Sequence, residues 1–129
     1  MPADPAAIRA TIDRYTEAFS ANDREGWLAL WADGCTMEDP VGTPIKHGKD
    51  EVIAFYDQGW AIADSIELRP LGIAVVLGNE AAFAFEVLTT VGGARFTLKV
   101  IDVMTFDDDA RITSQRAFND MNDLTPVTD

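Results

Sequence analysis

The sequence predicts an α+β fold in which three N-terminal helices pack on one face of a strongly curved antiparallel sheet and enclose an apolar cavity. Two observations carry this expectation. The first half of the chain shows apolar residues at helical spacing, and the second half shows them at alternate positions, as strands do. A third observation gives the fold its interest. In residues 94–106, ARFTLKVIDVMTF, the even positions Ala94, Phe96, Leu98, Val100, Asp102, Met104 and Phe106 are all apolar except Asp102. The odd positions are mixed and suit a surface or an interface. A carboxyl group therefore stands in the middle of the face expected to line the interior. Isolated there, its least costly state is protonated, and a neutral carboxylic acid is a hydrogen-bond donor. An edge-strand aspartate that reaches water is the alternative.

The first helix starts at Asp4-Pro5, with Asp as N-cap and Pro in the first turn. Ile8, Ile12, Tyr15 and Phe19 form its apolar stripe, which runs to about Ala21. Asn22-Asp23 breaks the pattern. A short second helix is expected over residues 24–32, carrying Trp27, Leu28, Leu30 and Trp31, followed by an extended segment over 35–39 that Pro40 stops. After a loop to Gly48, a third helix carries Val52, Ile53, Phe55, Tyr56 and Trp60 and fades near Asp64. Residues 66–77 read as a strand with a bend or bulge at Pro70 and Gly72. Residues 81–91 alternate, with Phe83 and Phe85 on the inward face, and Gly92-Gly93 is a hairpin signal leading into the Asp102 strand. Residues 111–118 form a last strand before a polar tail.

Composition bounds the function. The chain has 129 residues, which fits one domain over 1–129. Its net charge of −12, from 22 acidic against 10 basic residues, disfavours nucleic acid and anionic membranes as partners. No apolar run reaches the length of a membrane span, and the N-terminus lacks the basic start of a secretory signal. A lone cysteine, Cys35, makes no internal disulfide, so a cytoplasmic setting is the expectation. There is no Ser-His or Cys-His pair, no metal-ligand spacing and no Gly-rich phosphate loop.

A neutral acid in a cavity suits the stabilisation of a developing oxyanion, which calls for a second donor and a base nearby. Tyr15, on the inward stripe of the first helix, is a candidate donor, though taken alone a core tyrosine with its hydroxyl at the rim is the simpler reading. Tyr56 is placed to support it by a hydrogen bond. Asp39, stiffened by Pro40, is a candidate carboxylate at the cavity mouth, although taken alone a turn aspartate is the simpler reading. Glu38 should face the other way, toward solvent, and His47 lies in a polar loop.

These residues resemble a known family. Glu38-Asp39-Pro40-Val41-Gly42, the GKDEVIAFY stretch, VIDVMTF at residues 100–106, the Arg14-Tyr15 pair and NEAAFAFEV look like the bacterial Δ5-3-ketosteroid isomerases, and the likeness covers nearly the whole chain in order. The resemblance implies a cone-shaped NTF2-like (SnoaL-like) fold, a homodimer, no cofactor and a small apolar 3-oxo-steroid as substrate. It implies that Asp39 is the general base and that Tyr15 and protonated Asp102 hold the dienolate oxygen; ketosteroid isomerase is the standard example of an acid kept neutral for this purpose. It also implies that Tyr56 bonds to Tyr15, with Trp31 where some members have a further tyrosine. Phe83, Phe85, Val100, Met104, Gln115 and Asn119 would line or support the pocket. Gln115 and Asn119 depart from the bulky apolar residues usual there, which implies a wetter pocket and a substrate that carries extra polar groups or is not a typical androstene. A SnoaL-like cyclase and a non-catalytic binder of apolar ligands are the other readings of the same fold; an ionised Asp39 in an apolar mouth is the feature that favours an isomerase.

Overall fold

The computed structural model describes residues 2–128. Its elements run α1 (Pro5–Ser20), α2 (Arg24–Leu28), β1 (Trp31–Glu38), β2 (Lys46–His47), α3 (Gly48–Ile62), β3 (Ser65–Leu77), β4 (Glu80–Val91), β5 (Ala94–Phe106), β6 (Ile112–Phe118) and β7 (Thr125–Pro126), with a 3₁₀ turn at Met121–Asp123. The expected three helices and the strands after them are present. The Asp4 side chain accepts from Ala6 N–H at 2.8 Å, Pro5 occupies the first turn, and Ile8, Ile12, Tyr15 and Phe19 are all buried.

The strands lie in the order β2-β1-β6-β5-β4-β3, with β7 beside the first part of β5. β3, β4, β5 and β6 pair antiparallel, joined by short turns. Gly92 and Gly93 both have positive φ, 57° and 84°, as the tight β4–β5 hairpin requires. β3 slips register between Pro70 and Ala74, at the expected bulge. The sheet is nonetheless mixed, because β1 runs parallel to β6. An antiparallel meander read along the chain cannot reveal a parallel pairing such as Thr36 with Ser114, between strands far apart in sequence.

The second helix is also shorter than its apolar residues suggest. It stops at Leu28, and Trp31 begins β1. Ile112 N–H donates to Leu30 O at 2.8 Å, so the sheet claims a carbonyl that a longer helix would have used. A short apolar run reads equally well as helix or strand, and tertiary pairing decides. Trp27 and Trp31 are both fully buried, with ring centroids 5.3 Å apart, so each keeps its core position in spite of the change.

β5 follows the sequence reading from Val100 onward, whereas in its first half Ala94 is exposed and Phe96 and Leu98 are half-buried. Val100, Asp102, Met104 and Phe106 are buried, whereas Lys99 and Ile101 are exposed. The core gathers Ile8, Val52, Trp27, Trp31, Met37, Met104 and Ile112 between helices and sheet. Each such side chain contributes about 1.5–3 kcal/mol by leaving water. No helix among the described residues is long and apolar enough to cross a membrane.

Candidate active site

Helices and sheet leave a cavity of about 360 Å³, within the size range of small-molecule sites. Its wall is largely apolar, drawn from Phe19 and Phe55 on the helices and Leu68, Phe85, Val87 and Val100 on the strands. Four polar side chains interrupt it: Tyr15, Asp39, Asn119 and, further along β4, Thr89.

Tyr15 is delivered by the inward stripe of α1 and is 4% exposed. Burial raises its hydroxyl well above the ordinary tyrosine value, and the nearby carboxyl groups of Asp102 and Asp39 raise it further, with Gln115 opposing them. Asp102 lies opposite Phe83 of β4 and Ala117 of β6, with no exposed surface. Its carboxyl is raised well above the usual range by burial first and by Asp39 second, opposed by a hydrogen bond from Gln115. Neutral Tyr15 and neutral Asp102 are both proton donors.

Asp39 follows the end of β1 directly, and its carboxyl is also raised by burial. Hydrogen bonding by Asn119 and Gln115, and the more distant Lys46 charge, pull it partly back down. The Asn119 Nδ2 donates to Asp39 Oδ1 at 3.2 Å. Glu38, one residue earlier, is not free in solvent: it accepts from Arg116 Nε at 2.8 Å and from Gly42 N–H at 2.9 Å. That pair anchors the loop beside Asp39. His47 is exposed, and its N–H is bonded to Glu51 at the start of α3.

Gln115 joins the groups. It is 1% exposed, and its Nε2 lies 3.4 Å from Asp102 Oδ2 and 3.5 Å from Tyr15 Oη. The contact is a diagonal one across β5 and β6, since Asp102 pairs with Ala117 and Met104 with Gln115. Both Gln115 Oε1 and Asp102 Oδ1 are buried without a hydrogen-bond partner.

The expected pocket residues divide. Tyr15, Asp39, Phe85, Val100 and Asn119 stand on the cavity wall. Phe83, Met104, Asp102 and Gln115 are buried behind it. Gln115 therefore does not wet the wall as its polarity suggested; Asn119 does. Tyr56 does not bond to Tyr15. Its hydroxyl donates to Asn22 Oδ1 at 2.7 Å, and Trp27 contacts both tyrosine rings, at 5.6 Å and 5.0 Å between centroids. The reason is steric: an indole occupies the space a Tyr–Tyr hydrogen bond needs. Asn22, read in the sequence only as a helix break, sits at φ 53°, which asparagine tolerates better than most residues. Among the described residues, no group of three or more His, Cys, Asp or Glu side chains is assembled that could hold a metal ion.

An α+β cone with an apolar cavity and a small set of neutral and ionisable oxygens is the layout of the SnoaL-like (NTF2-like) domains, and the SnoaL-like domain family matches this chain over residues 12–115. The chain belongs to that family. Within it, the chain is 39% identical over 113 residues to the steroid Δ-isomerase of Nocardioides simplex, covering 88% of this chain and 89% of that one. Two solved structures share the fold. SalBIII, an epoxide hydrolase/cyclase-like enzyme of pyran ring formation in the polyether salinomycin, superposes with a TM-score of 0.87 at 20% identity, over 96% of this chain and 98% of its own. The Mycobacterium tuberculosis protein RV0760c gives 0.84 at 23% identity, over 94% and 96%. At those identities the two structures speak to fold alone.

Proposed function

We propose that this chain is a steroid Δ-isomerase that moves the C=C bond of a 3-oxo-Δ5-steroid into conjugation. The observation that carries the reading is Asp39: a carboxylate on the wall of an otherwise apolar cavity, beside a tyrosine and in front of a buried acid. The relationship to a named steroid Δ-isomerase over most of the chain supports the substrate class.

In this reading Asp39 takes the proton from C4, and the electron pair moves through the carbonyl to leave a dienolate with its charge on the C3 oxygen. Tyr15 and protonated Asp102 donate to that oxygen. Asp39 then returns the same proton at C6, so no atom is gained or lost. A carboxylate is a weak base for such a proton, and the step is feasible because the developing charge meets fixed donors in a water-poor cavity. Burial strengthens the base by raising its pKa. No cofactor is required by this chemistry.

The functional unit is a single domain over residues 1–129 and assembles as a homodimer. The outer face of the sheet supports the dimer: Val75, Ile101 and Phe118 are 62%, 50% and 45% exposed, and Ile101 lies directly opposite Phe118. Light scattering on the purified chain tests this, and a monomer at micromolar concentration counts against it.

The decisive experiment follows ultraviolet absorbance after mixing the protein with 5-androstene-3,17-dione. A rise from the conjugated enone that is lost in Asp39→Asn establishes both the reaction and the base. No rise, with a planar phenolic steroid still bound, makes the chain a binder or an isomerase of another ketone. Undiminished turnover in Asp39→Asn removes Asp39 as the base.

A further inference from the structure

One buried polar side chain has only a small task in the mechanism above, a hydrogen bond that helps to hold the Asp39 carboxylate ionised. Gln115 lies behind the cavity wall, and one end of its carboxamide faces both Tyr15 and Asp102. The distances, 3.5 Å and 3.4 Å, are at the long limit for hydrogen bonds, so the amide is weakly held. Asp102 has no exposed surface, and it is absent from the cavity wall that Tyr15 helps to form. An incoming oxygen can meet Tyr15 from the cavity as it stands. An oxygen bonded to both Tyr15 and Asp102 competes with the Gln115 amide, which stands within reach of both.

The chemistry of the three groups says what the amide is doing. Burial raises both Tyr15 and Asp102, favouring the neutral forms in which each is a donor, and both converge on one end of Gln115. With nitrogen at that end, Gln115 Oε1 and Asp102 Oδ1 are left buried and unpartnered, which is costly. A half turn of the carboxamide exchanges its two nearly isosteric ends and presents an oxygen to both donors, at the cost of the amide's hydrogen bond to Asp39. An amide oxygen held by these two donors has the same arrangement as the ketone oxygen of a bound substrate.

We propose that Gln115 is a displaceable internal acceptor, occupying the oxyanion site of the ligand-free protein until a ketone or enolate oxygen takes its place. The inference rests on the isomerase reading and adds to it a residue that sets the affinity of the site for oxyanions. The plug satisfies two buried donors when no ligand is bound and competes with the ligand for them.

The opposing effects make the test. Gln115→Met, similar in size and without an acceptor amide, should lower stability in urea, because Tyr15 and Asp102 lose their internal partner. It should also tighten binding of a planar phenolic steroid, read by ligand fluorescence, by about tenfold, the worth of one hydrogen-bonded group no longer displaced. The ionised fraction of the bound phenol, read by its absorbance, should rise with it. Gln115→Leu should do the same, and adding Asp102→Leu to either variant should abolish the gain. A structural role alone predicts lower stability with binding unchanged or weaker, and that result in both single variants overturns the proposal. Wild-type turnover of 5-androstene-3,17-dione, measured alongside, separates the two failures: turnover without tighter binding in the variants rejects the plug and leaves the isomerase standing. Absence of both turnover and phenol binding in the wild type overturns the isomerase reading and the plug with it.

Discussion

Asn119 Nδ2 donates to Asp39 Oδ1 at 3.2 Å, joining residues 80 positions apart in the chain. A donor aimed at a carboxylate favours its ionised form, and here it works against the burial that raises Asp39. The acid limb of kcat/KM should therefore have its midpoint above the ordinary aspartate value of 3.8. Asn119→Ala should move that midpoint to still higher pH. A pH–rate profile of the two proteins checks this, and a shift toward lower pH would show that Asn119 does not stabilise the carboxylate.

Asp102 should make stability depend on pH in a defined direction. Its folded pKa is raised above the unfolded value of 3.8, so the folded chain keeps a proton that the unfolded chain releases. Its contribution is thus full at low pH and is lost as pH rises from 3.8 toward the folded value. Asp102→Asn has no proton to lose. Its stability relative to wild type should climb with pH over that window, by up to about 1.4 kcal/mol per pH unit. Urea unfolding of both proteins at about pH 5 and about pH 7 measures the difference. A difference independent of pH would mean that Asp102 is not held protonated.

Removing the donors should separate them by chemistry. Tyr15→Phe keeps the ring packed among Trp27, Trp31 and Phe83 and deletes only the hydroxyl. Turnover should fall by about 10²–10³-fold, the usual cost of one oxyanion donor. Asp102→Asn should lose less than Asp102→Leu, since an amide still donates. Equal losses in the two Asp102 variants would argue against donation.

Tyr56 gives the contrasting case. Its hydroxyl serves Asn22, not Tyr15. Tyr56→Phe should cost about 0.5–1.5 kcal/mol in unfolding free energy through that hydrogen bond. Its kcat should stay within about twofold of wild type, because Trp27 still packs against Tyr15. A loss approaching that of Tyr15→Phe would restore Tyr56 to a role at the reacting oxygen.

Much of this was readable from local pattern. Alternation in residues 94–106 places Asp102 on the inner face whatever lies beside it, because the pleat repeats every two residues. The α1 stripe turns Tyr15 inward for the same kind of reason, with a period of 3.6. Asp4-Pro5 and Gly92-Gly93 mark a helix start and a hairpin through backbone preferences that act within a few residues.

What the tertiary structure alone settled is who meets whom. Phe106 pairs with Ile112, but a one-residue slip between Thr105 and Phe106 sets Gln115 opposite Met104. Continued without the slip, that register would carry Gln115 opposite Val103, on the outer face of the sheet. The position of Gln115 against Tyr15 and Asp102 therefore hangs on a bulge with no Gly or Pro to announce it. The parallel β1–β6 pairing, the early end of α2 and the Tyr56–Asn22 bond are likewise choices between partners far apart in sequence. Periodicity tells each residue which way to face; competition among distant surfaces for burial and hydrogen bonds decides what it finds there.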